Sequence, residues 1–198
     1  QAIIDACQSG YIAGQVVGVL SNKADAYGLV RAQQAGINTA IINHKEFATR
    51  QDFDLAMQKI IDAWQPDVVV LAGFMRILTP AFVQHFEGKL INIHPSLLPL
   101  YKGLHTHQRV LATGDKLHGC SVHFVNAELD GGAVIAQAVL TVAANEAEQS
   151  LIQRVHKLEH IIYPLVLNWL SYGRLSYQQG LPVLDGQTLS TPMKLLFD

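Results

Sequence analysis

Two polar side chains, Asn92 and His94, lie at the end of a short apolar stretch of the sequence. The stretch runs over Leu90–His94 and is followed by Pro95. In an extended chain alternate side chains share a face, so the amide and the imidazole point one way, and Ile91 and Ile93 point the other way. Pro95 keeps His94 out of the helical region, which leaves the imidazole at a strand end. Open α/β sheets bind ligands at strand ends, so we expect a functional site here.

An amide donor beside an imidazole is suited to one kind of chemistry. The two groups can hold the negative charge that develops on a carbonyl oxygen while a proton moves. Alone, an Asn-x-His pair is more often structural, since a buried histidine commonly bonds a backbone carbonyl. The residues further along the chain therefore decide between the two interpretations.

A second polar stretch follows downstream. Alternation over 121–125 places Ser121 and His123 on one strand face, and the chain then reaches Asp130 followed by two glycines. Paired glycines let backbone and ligand approach closely. The alternative for Asp130 is an ordinary turn aspartate that bonds its own backbone.

These motifs together carry a family resemblance. They are Asn92-Ile93-His94-Pro95-Ser96-Leu97-Leu98-Pro99, Gly103-Leu104-His105-Thr106-His107, Ser121-Val122-His123-Phe124 and Leu129-Asp130-Gly131-Gly132. The sequence resembles the glycinamide ribonucleotide formyltransferases of purine synthesis nearly end to end. The resemblance implies that Asn92, His94 and Asp130 catalyse formyl transfer from 10-formyltetrahydrofolate to the amine of glycinamide ribonucleotide. A carboxylate near the imidazole would favour the charged ring.

The resemblance also implies which residues bind the two substrates. Implied contacts to the folate cosubstrate are Arg50, Met75, Arg76, Ile77, Leu78, Asn92, Asn126, Ala127, Glu128, Leu129 and Asp130. Implied contacts to the ribonucleotide are His156, Lys157, Leu158 and Glu159, and Ser121 and His123 would support the site. Some of these positions have simpler explanations. Met75 and Ile77, like Phe74, could pack beneath a loop, Arg76 could be a solvated surface charge, and Lys157 could belong to a salt-bridged helix face.

Composition excludes several classes of partner. The 198-residue chain has a net charge of −2 and no run of adjacent lysines or arginines, so we expect no nucleic-acid partner. No apolar run approaches the roughly 20 residues of a membrane helix, so we expect no membrane partner. Cys7 and Cys120 are isolated, which favours a reducing, cytoplasmic location. His105 and His107 lack carboxylate or thiolate company, so we expect no metal site. We expect a monomer or a homodimer.

Hydrophobic periodicity predicts an α/β fold. Strands are indicated at 15–20, 38–42, 67–71, 90–94, 121–125 and 134–142, and helices at the start, at 26–35, 49–64, 80–86, 108–113 and 148–172. The alternation predicts a doubly wound, mostly parallel, Rossmann-like sheet with helices on both faces. The short loop between the last two strands predicts an antiparallel C-terminal portion. A hairpin about Asp185-Gly186 and a tail should follow.

The first residues bear on domain organisation. Ala2, Ile3, Ala6 and Cys7 keep helical spacing from the start of the chain. The resemblance places a first strand and a glycine-rich phosphate loop before this helix, and the first strand of a doubly wound sheet is central. We therefore expect residues 1–198 to be a single formyltransferase domain that lacks the first strand and the phosphate loop. We expect a longer parent protein to contain both.

Three other functions share parts of the pattern. A formyltetrahydrofolate hydrolase could use the same Asn, His and Asp to pass the formyl group to water, but such hydrolases usually lack Gly-Leu-His-Thr-His and carry a further N-terminal domain. A transferase acting on aminoacylated tRNA would need a basic face. A non-catalytic nucleotide-binding module would have no reason to combine Asn92, His94 and Asp130.

Overall fold

The computed structural model describes residues 1–197. The α-helices are α1 (Ala2–Gln8), α2 (Tyr27–Gln34), α3 (Arg50–Trp64), α4 (Pro80–His85), α5 (Thr106–Thr113) and α6 (Glu148–Ser171). The strands are β1 (Val19–Ser21), β2 (Thr39–Ile41), β3 (Val69–Leu71), β4 (Leu90–His94), β5 (Leu117–Phe124), β6 (Val134–Thr141), β7 (Leu175–Gln178), β8 (Leu181–Leu184), β9 (Gln187–Thr188) and β10 (Met193–Phe197). The predicted alternation of helix and strand is confirmed, although several strands are shorter than predicted.

A five-stranded sheet in the order β10-β6-β5-β4-β3 forms the centre of the molecule. β3 pairs with β4 and β6 with β10 in parallel, whereas β5 is antiparallel to both of its neighbours. β1 and β2 form a parallel pair, and β7, β8 and β9 form an antiparallel sheet. The fold is thus a doubly wound α/β architecture with an antiparallel C-terminal portion, as the sequence predicts.

Two hydrophobic layers cover the faces of the central sheet. One contains Ile91 and the inner faces of α1 and α6, and the other contains Leu90 and side chains of α3 and α4. Neighbouring residues of β4 therefore enter opposite layers, as strand geometry requires. Asn92 and His94 lie on the same face of β4 as Leu90, and Ile93 packs against the layer that contains Ile91. Asn92 and His94 share one face and Ile91 and Ile93 the other, as predicted, but the face of Asn92 and His94 is not wholly polar, because Leu90 packs into a hydrophobic layer there.

Local sequence signals explain where the helices begin and end. The Thr49 side chain accepts a hydrogen bond from the Asp52 amide, and the Thr79 side chain caps the helix that Pro80 begins. Gly114 adopts a left-handed conformation just after α5. No helix within residues 1–197 combines the length and apolar character needed to cross a membrane.

The C-terminal segment differs from its predicted form. The hairpin about Asp185-Gly186 is present between β8 and β9. The predicted tail is wrong for Met193–Phe197, because these residues form β10 and pair in parallel with β6 at the edge of the central sheet. The partner strand is far away in sequence, so local periodicity contains no signal for this pairing.

Candidate active site

His94 is buried at the end of β4 and contacts two separate loops. Its Nε2 lies 2.9 Å from the carbonyl oxygen of Tyr101, in the loop before α5. A carbonyl oxygen can only accept, so Nε2 must bear a hydrogen. The other ring nitrogen, Nδ1, is then the position at which the imidazole gains or loses its second proton.

Asp130 faces that second nitrogen. Its Oδ2 lies 3.5 Å from Nδ1 of His94, and each of the two side chains is only 9% exposed. The same carboxylate oxygen accepts a hydrogen bond of 2.8 Å from the Gly103 amide. Asp130 therefore bonds a distant loop rather than only its own turn. Asp130 thus presents a carboxylate oxygen to the ring nitrogen that the Tyr101 carbonyl leaves open.

Asn92 is oriented by His123 on the neighbouring strand. Nδ1 of His123 donates to the carbonyl oxygen of Phe124, at 2.9 Å, which leaves its Nε2 as an acceptor. Nδ2 of Asn92 lies 3.3 Å from that Nε2 and donates to it. Burial lowers the pKa of His123, which keeps the ring neutral and able to accept. One N–H of the Asn92 amide is thereby fixed, and the other remains for a ligand.

The glycines after Asp130 permit the approach of its loop to β5. A Cβ atom on Gly132 would overlap the carbonyl oxygen of Phe124, and one on Gly131 would meet the Glu128 side chain. Asp130 itself has φ of 47°, in the left-handed region. The loop that carries the carboxylate therefore depends on glycine at 132 to reach its position.

Residues of the 72–78 loop divide into exposed and buried sets. Met75 is 74% exposed and Ile77 is 55% exposed, whereas Leu78 and Phe74 belong to the layer under α3 and α4. The Arg76 guanidinium lies 5.4 Å from the centre of the Phe53 ring. Phe74 and Leu78 thus pack beneath the loop, whereas the side chains of Met75 and Ile77 are exposed and accessible to a ligand.

The remaining residues for which folate contact is predicted lie on exposed surface. Arg50 is the first residue of α3, and Asn126, Ala127, Glu128 and Leu129 precede Asp130 in an exposed turn. The Glu128 carboxylate pairs with Lys102 Nζ at 2.7 Å, which links this turn to the Tyr101 loop. The two loops that contact His94 are therefore also joined to each other.

The predicted ribonucleotide contacts lie on α6. His156 and Lys157 are exposed, and Leu158 is buried in the core beneath the helix. Glu159 is partly buried, with its carboxylate 4.0 Å from His156 Nε2. Burial raises the pKa of Glu159, and the nearby His156 opposes that effect. Glu159 can accept hydrogen bonds, whereas Leu158 contributes through packing.

Comparison with known proteins identifies the family. A family model described as formyl transferase matches residues 1–167. The chain belongs to the formyl transferase family. Among its relatives within this family is the phosphoribosylglycinamide formyltransferase of Escherichia coli (strain K12), which is 56% identical over 96% of this chain and 89% of that protein. The enzyme of the same name from Haemophilus influenzae is 48% identical over the same shares.

Solved structures from the formyl transferase family have the same fold. The phosphoribosylglycinamide formyltransferase of Coxiella burnetii, determined in complex with CHES, superposes with a TM-score of 0.94 at 52% identity. The superposition covers 98% of this chain and 92% of that one. The family membership expected from the sequence motifs is confirmed.

In this member of the formyl transferase family, sequence analysis missed several groups around His94. The Tyr101 carbonyl and the Gly103 amide are backbone groups, and no side-chain pattern could indicate them. Gln137 was also missed, although it is buried in β6 and bonds Ser121. A glutamine within an otherwise apolar strand was the signal that could have pointed to it.

Proposed function

We propose that this protein transfers the formyl group of 10-formyltetrahydrofolate to the amine of glycinamide ribonucleotide in de novo purine synthesis. The observation that carries the proposal is the approach of the Asp130 carboxylate to Nδ1 of His94, at 3.5 Å and largely shielded from water at a strand end. Similarity to phosphoribosylglycinamide formyltransferases over nearly the whole chain supports the choice of substrates.

The reaction begins when the amine nitrogen attacks the formyl carbon. A C–N bond forms, and the carbonyl electron pair moves to the oxygen to give a tetrahedral oxyanion. The free N–H of Asn92 and the Nδ1–H of His94 are the donors that stabilise this oxygen. Nε2 of His94 cannot take this role because the Tyr101 carbonyl already accepts from it.

Collapse of the intermediate needs two proton movements. The bond from the formyl carbon to the folate nitrogen breaks, that nitrogen takes a proton, and the attacking amine loses one. His94 at Nδ1 is the donor, and Asp130 stabilises the charged ring before the transfer. The pair can afterwards regain the proton that the amine releases, which returns His94 to its starting state.

Substrate binding divides between two surfaces. The exposed residues of the 72–78 loop, Arg50 and the turn before Asp130 hold the folate. His156, Lys157 and Glu159 on α6 bind the ribonucleotide, and Glu159 accepts hydrogen bonds from ribose hydroxyls. Both substrates are small molecules of cytoplasmic metabolism, which is where we place the protein, as a monomer or a homodimer.

Incubation of the full-length protein with both substrates, while tetrahydrofolate formation is followed, tests the proposal. The expected result is turnover that depends on glycinamide ribonucleotide. The control omits the ribonucleotide. Release of formate in that control, at the rate of the complete reaction, would identify a hydrolase and contradict the transferase.

A further inference from the structure

A fully buried group of polar side chains lies behind the turn that follows His94. The Ser121 hydroxyl donates to the Ser96 carbonyl at 2.7 Å and accepts from the Leu98 amide at 3.0 Å. The Gln137 side-chain amide donates to the Leu98 carbonyl at 2.8 Å and to the Ser121 hydroxyl at 3.0 Å. These bonds use every donor and acceptor site of the Ser121 hydroxyl.

Three adjacent strands supply this group. Ser121 lies opposite His94 in the β4–β5 pair, and Gln137 lies opposite Ser121 in the β5–β6 pair. Gln137 is 4% exposed and Ser121 is completely buried. The row extends from the site into the interior of the sheet, so Gln137 is too deep to contact a substrate.

The turn held by this row determines the orientation of His94. Ser96 and Leu98 lie between Pro95 and Pro99, which cannot donate backbone hydrogen bonds. Side chains of β5 and β6 satisfy three backbone groups of the turn, which are the Ser96 carbonyl and the amide and carbonyl of Leu98. The same turn leads to Tyr101, whose carbonyl accepts from Nε2 of His94. A displacement of the turn would move that acceptor and release the ring.

We infer that Gln137 is a positioning residue that fixes the His94 tautomer by holding the 95–101 turn through Leu98 and Ser121. The importance of this role for turnover rests on the proposed formyl transfer. The role itself is a property of the free protein and can be measured without substrates.

Replacing Gln137 with methionine tests the inference. Methionine has a similar length but donates no hydrogen bond, so the Leu98 carbonyl loses its buried partner. We expect kcat to fall about 10- to 100-fold, as for small displacements of a catalytic group. KM for both substrates should stay within about twofold, since the binding surfaces are elsewhere. Nitrogen-15 NMR of labelled histidines, recorded at a pH that leaves the ring neutral, should show His94 changing from a single Nε2–H tautomer to a mixture.

The control is Val139→Ala, which removes buried volume from the same face of β6 without removing a hydrogen bond. Its kcat and its His94 NMR signals should match those of the unaltered protein. If Gln137→Met does not fold, Gln137→Asn provides the same readouts, because its amide is withdrawn by one methylene. His94 signals that stay unchanged in the folded Gln137 variant would overturn the inference. Failure of the formyl-transfer assay with unaltered protein would instead contradict the proposed function alone.

Discussion

At the scale of single residues, His94 has its two ring nitrogens engaged in different ways. Nε2 is fixed by an uncharged backbone carbonyl, and Nδ1 faces a carboxylate at a distance longer than a direct hydrogen bond. The ring is thus held by one nitrogen and free to exchange a proton at the other. A proton donor needs that combination, because a ring bonded tightly at both nitrogens could not deliver its proton to a substrate.

Substitution of the two proposed donors should reduce turnover. In separate variants, Asn92→Ala and His94→Ala should each reduce kcat about 100- to 1,000-fold, because each removes one donor to the oxyanion. Steady-state assays of tetrahydrofolate formation measure the effect. Asn38→Ala, which removes an exposed amide just before β2, is the control. Near-normal turnover in either site variant would refute its role.

The loop that carries Asp130 should not tolerate a side chain at 132. Gly132→Ala forces a Cβ atom against the Phe124 carbonyl, so the loop must move and carry the carboxylate away from His94. We expect kcat to fall about 10- to 100-fold through this displacement. Gly28→Ala in α2 is the matched control, because a Cβ there meets no atom within 4 Å. Equal activity of the two variants would contradict this account of the loop.

The part of this site that lies on one strand could be predicted from the sequence, whereas contacts between distant segments could not. Strand periodicity fixed the shared face of Asn92 and His94, because alternation is a local property of the chain. It could not bring Asp130 to His94, since that approach depends on a loop conformation and on Gly103, and the family resemblance supplied the expectation. The row from His94 to Gln137 depends on strand register, which no single stretch of sequence contains.

At the scale of elements, α6 and the central sheet are tied by one buried phenol. The Tyr163 hydroxyl lies 2.8 Å from the Leu71 carbonyl and 3.0 Å from the Ile91 carbonyl. Burial raises the pKa of Tyr163 well above its ordinary value, so the phenol stays protonated and donates. Leu71 immediately precedes the 72–78 loop, and Ile91 precedes Asn92. The contact therefore joins the ends of β3 and β4 just below the site.

Removing that hydroxyl should destabilise the fold. Tyr163→Phe keeps the ring in the core but removes the single hydroxyl hydrogen that the Leu71 and Ile91 carbonyl oxygens share, at a cost of about 1–3 kcal/mol. Urea unfolding should show a lower midpoint with an unchanged slope. Tyr172→Phe is the control, because Tyr172 is 58% exposed at the end of the same helix. A midpoint shift of the same size in both variants would contradict the bridging role.

The sequence predicts the ends of several helices but not every strand. Helix ends at Thr49, Thr79 and Gly114 could be read from the sequence, because capping depends on neighbouring residues. The strand β10 could not, because its partner β6 is distant in the chain. Long-range pairing is decided by the completed sheet rather than by local propensity.

At the scale of the whole molecule, the buried His118, which is paired with the half-buried His107, makes the stability of the fold sensitive to acid. Nε2 of His118 lies 3.0 Å from Nδ1 of His107, and His118 is 1% exposed. Burial, and then the charge of a protonated His107, lower the pKa of His118 from 6.5 to about 4. The folded state therefore resists a proton that the unfolded chain accepts readily. Burial lowers the pKa of His107 and His123 in the same direction.

Stability should accordingly fall as the solution becomes acidic. Well above pH 6.5 the His118 ring is neutral in both states and contributes no pH dependence. As the pH falls through 6.5, the unfolded state gains the proton first. The free energy of unfolding should decline until the pH reaches about 4, with a total loss from His118 of about 3 kcal/mol. Urea unfolding of His118→Gln at about pH 7.5 and about pH 5 should show a smaller loss than the unaltered protein shows. The control is His160→Gln, at an exposed position on α6, whose free energy of unfolding should fall between the two pH values by as much as that of the unaltered protein. Equal losses of this free energy in all three proteins would place the acid sensitivity outside the His107–His118 pair.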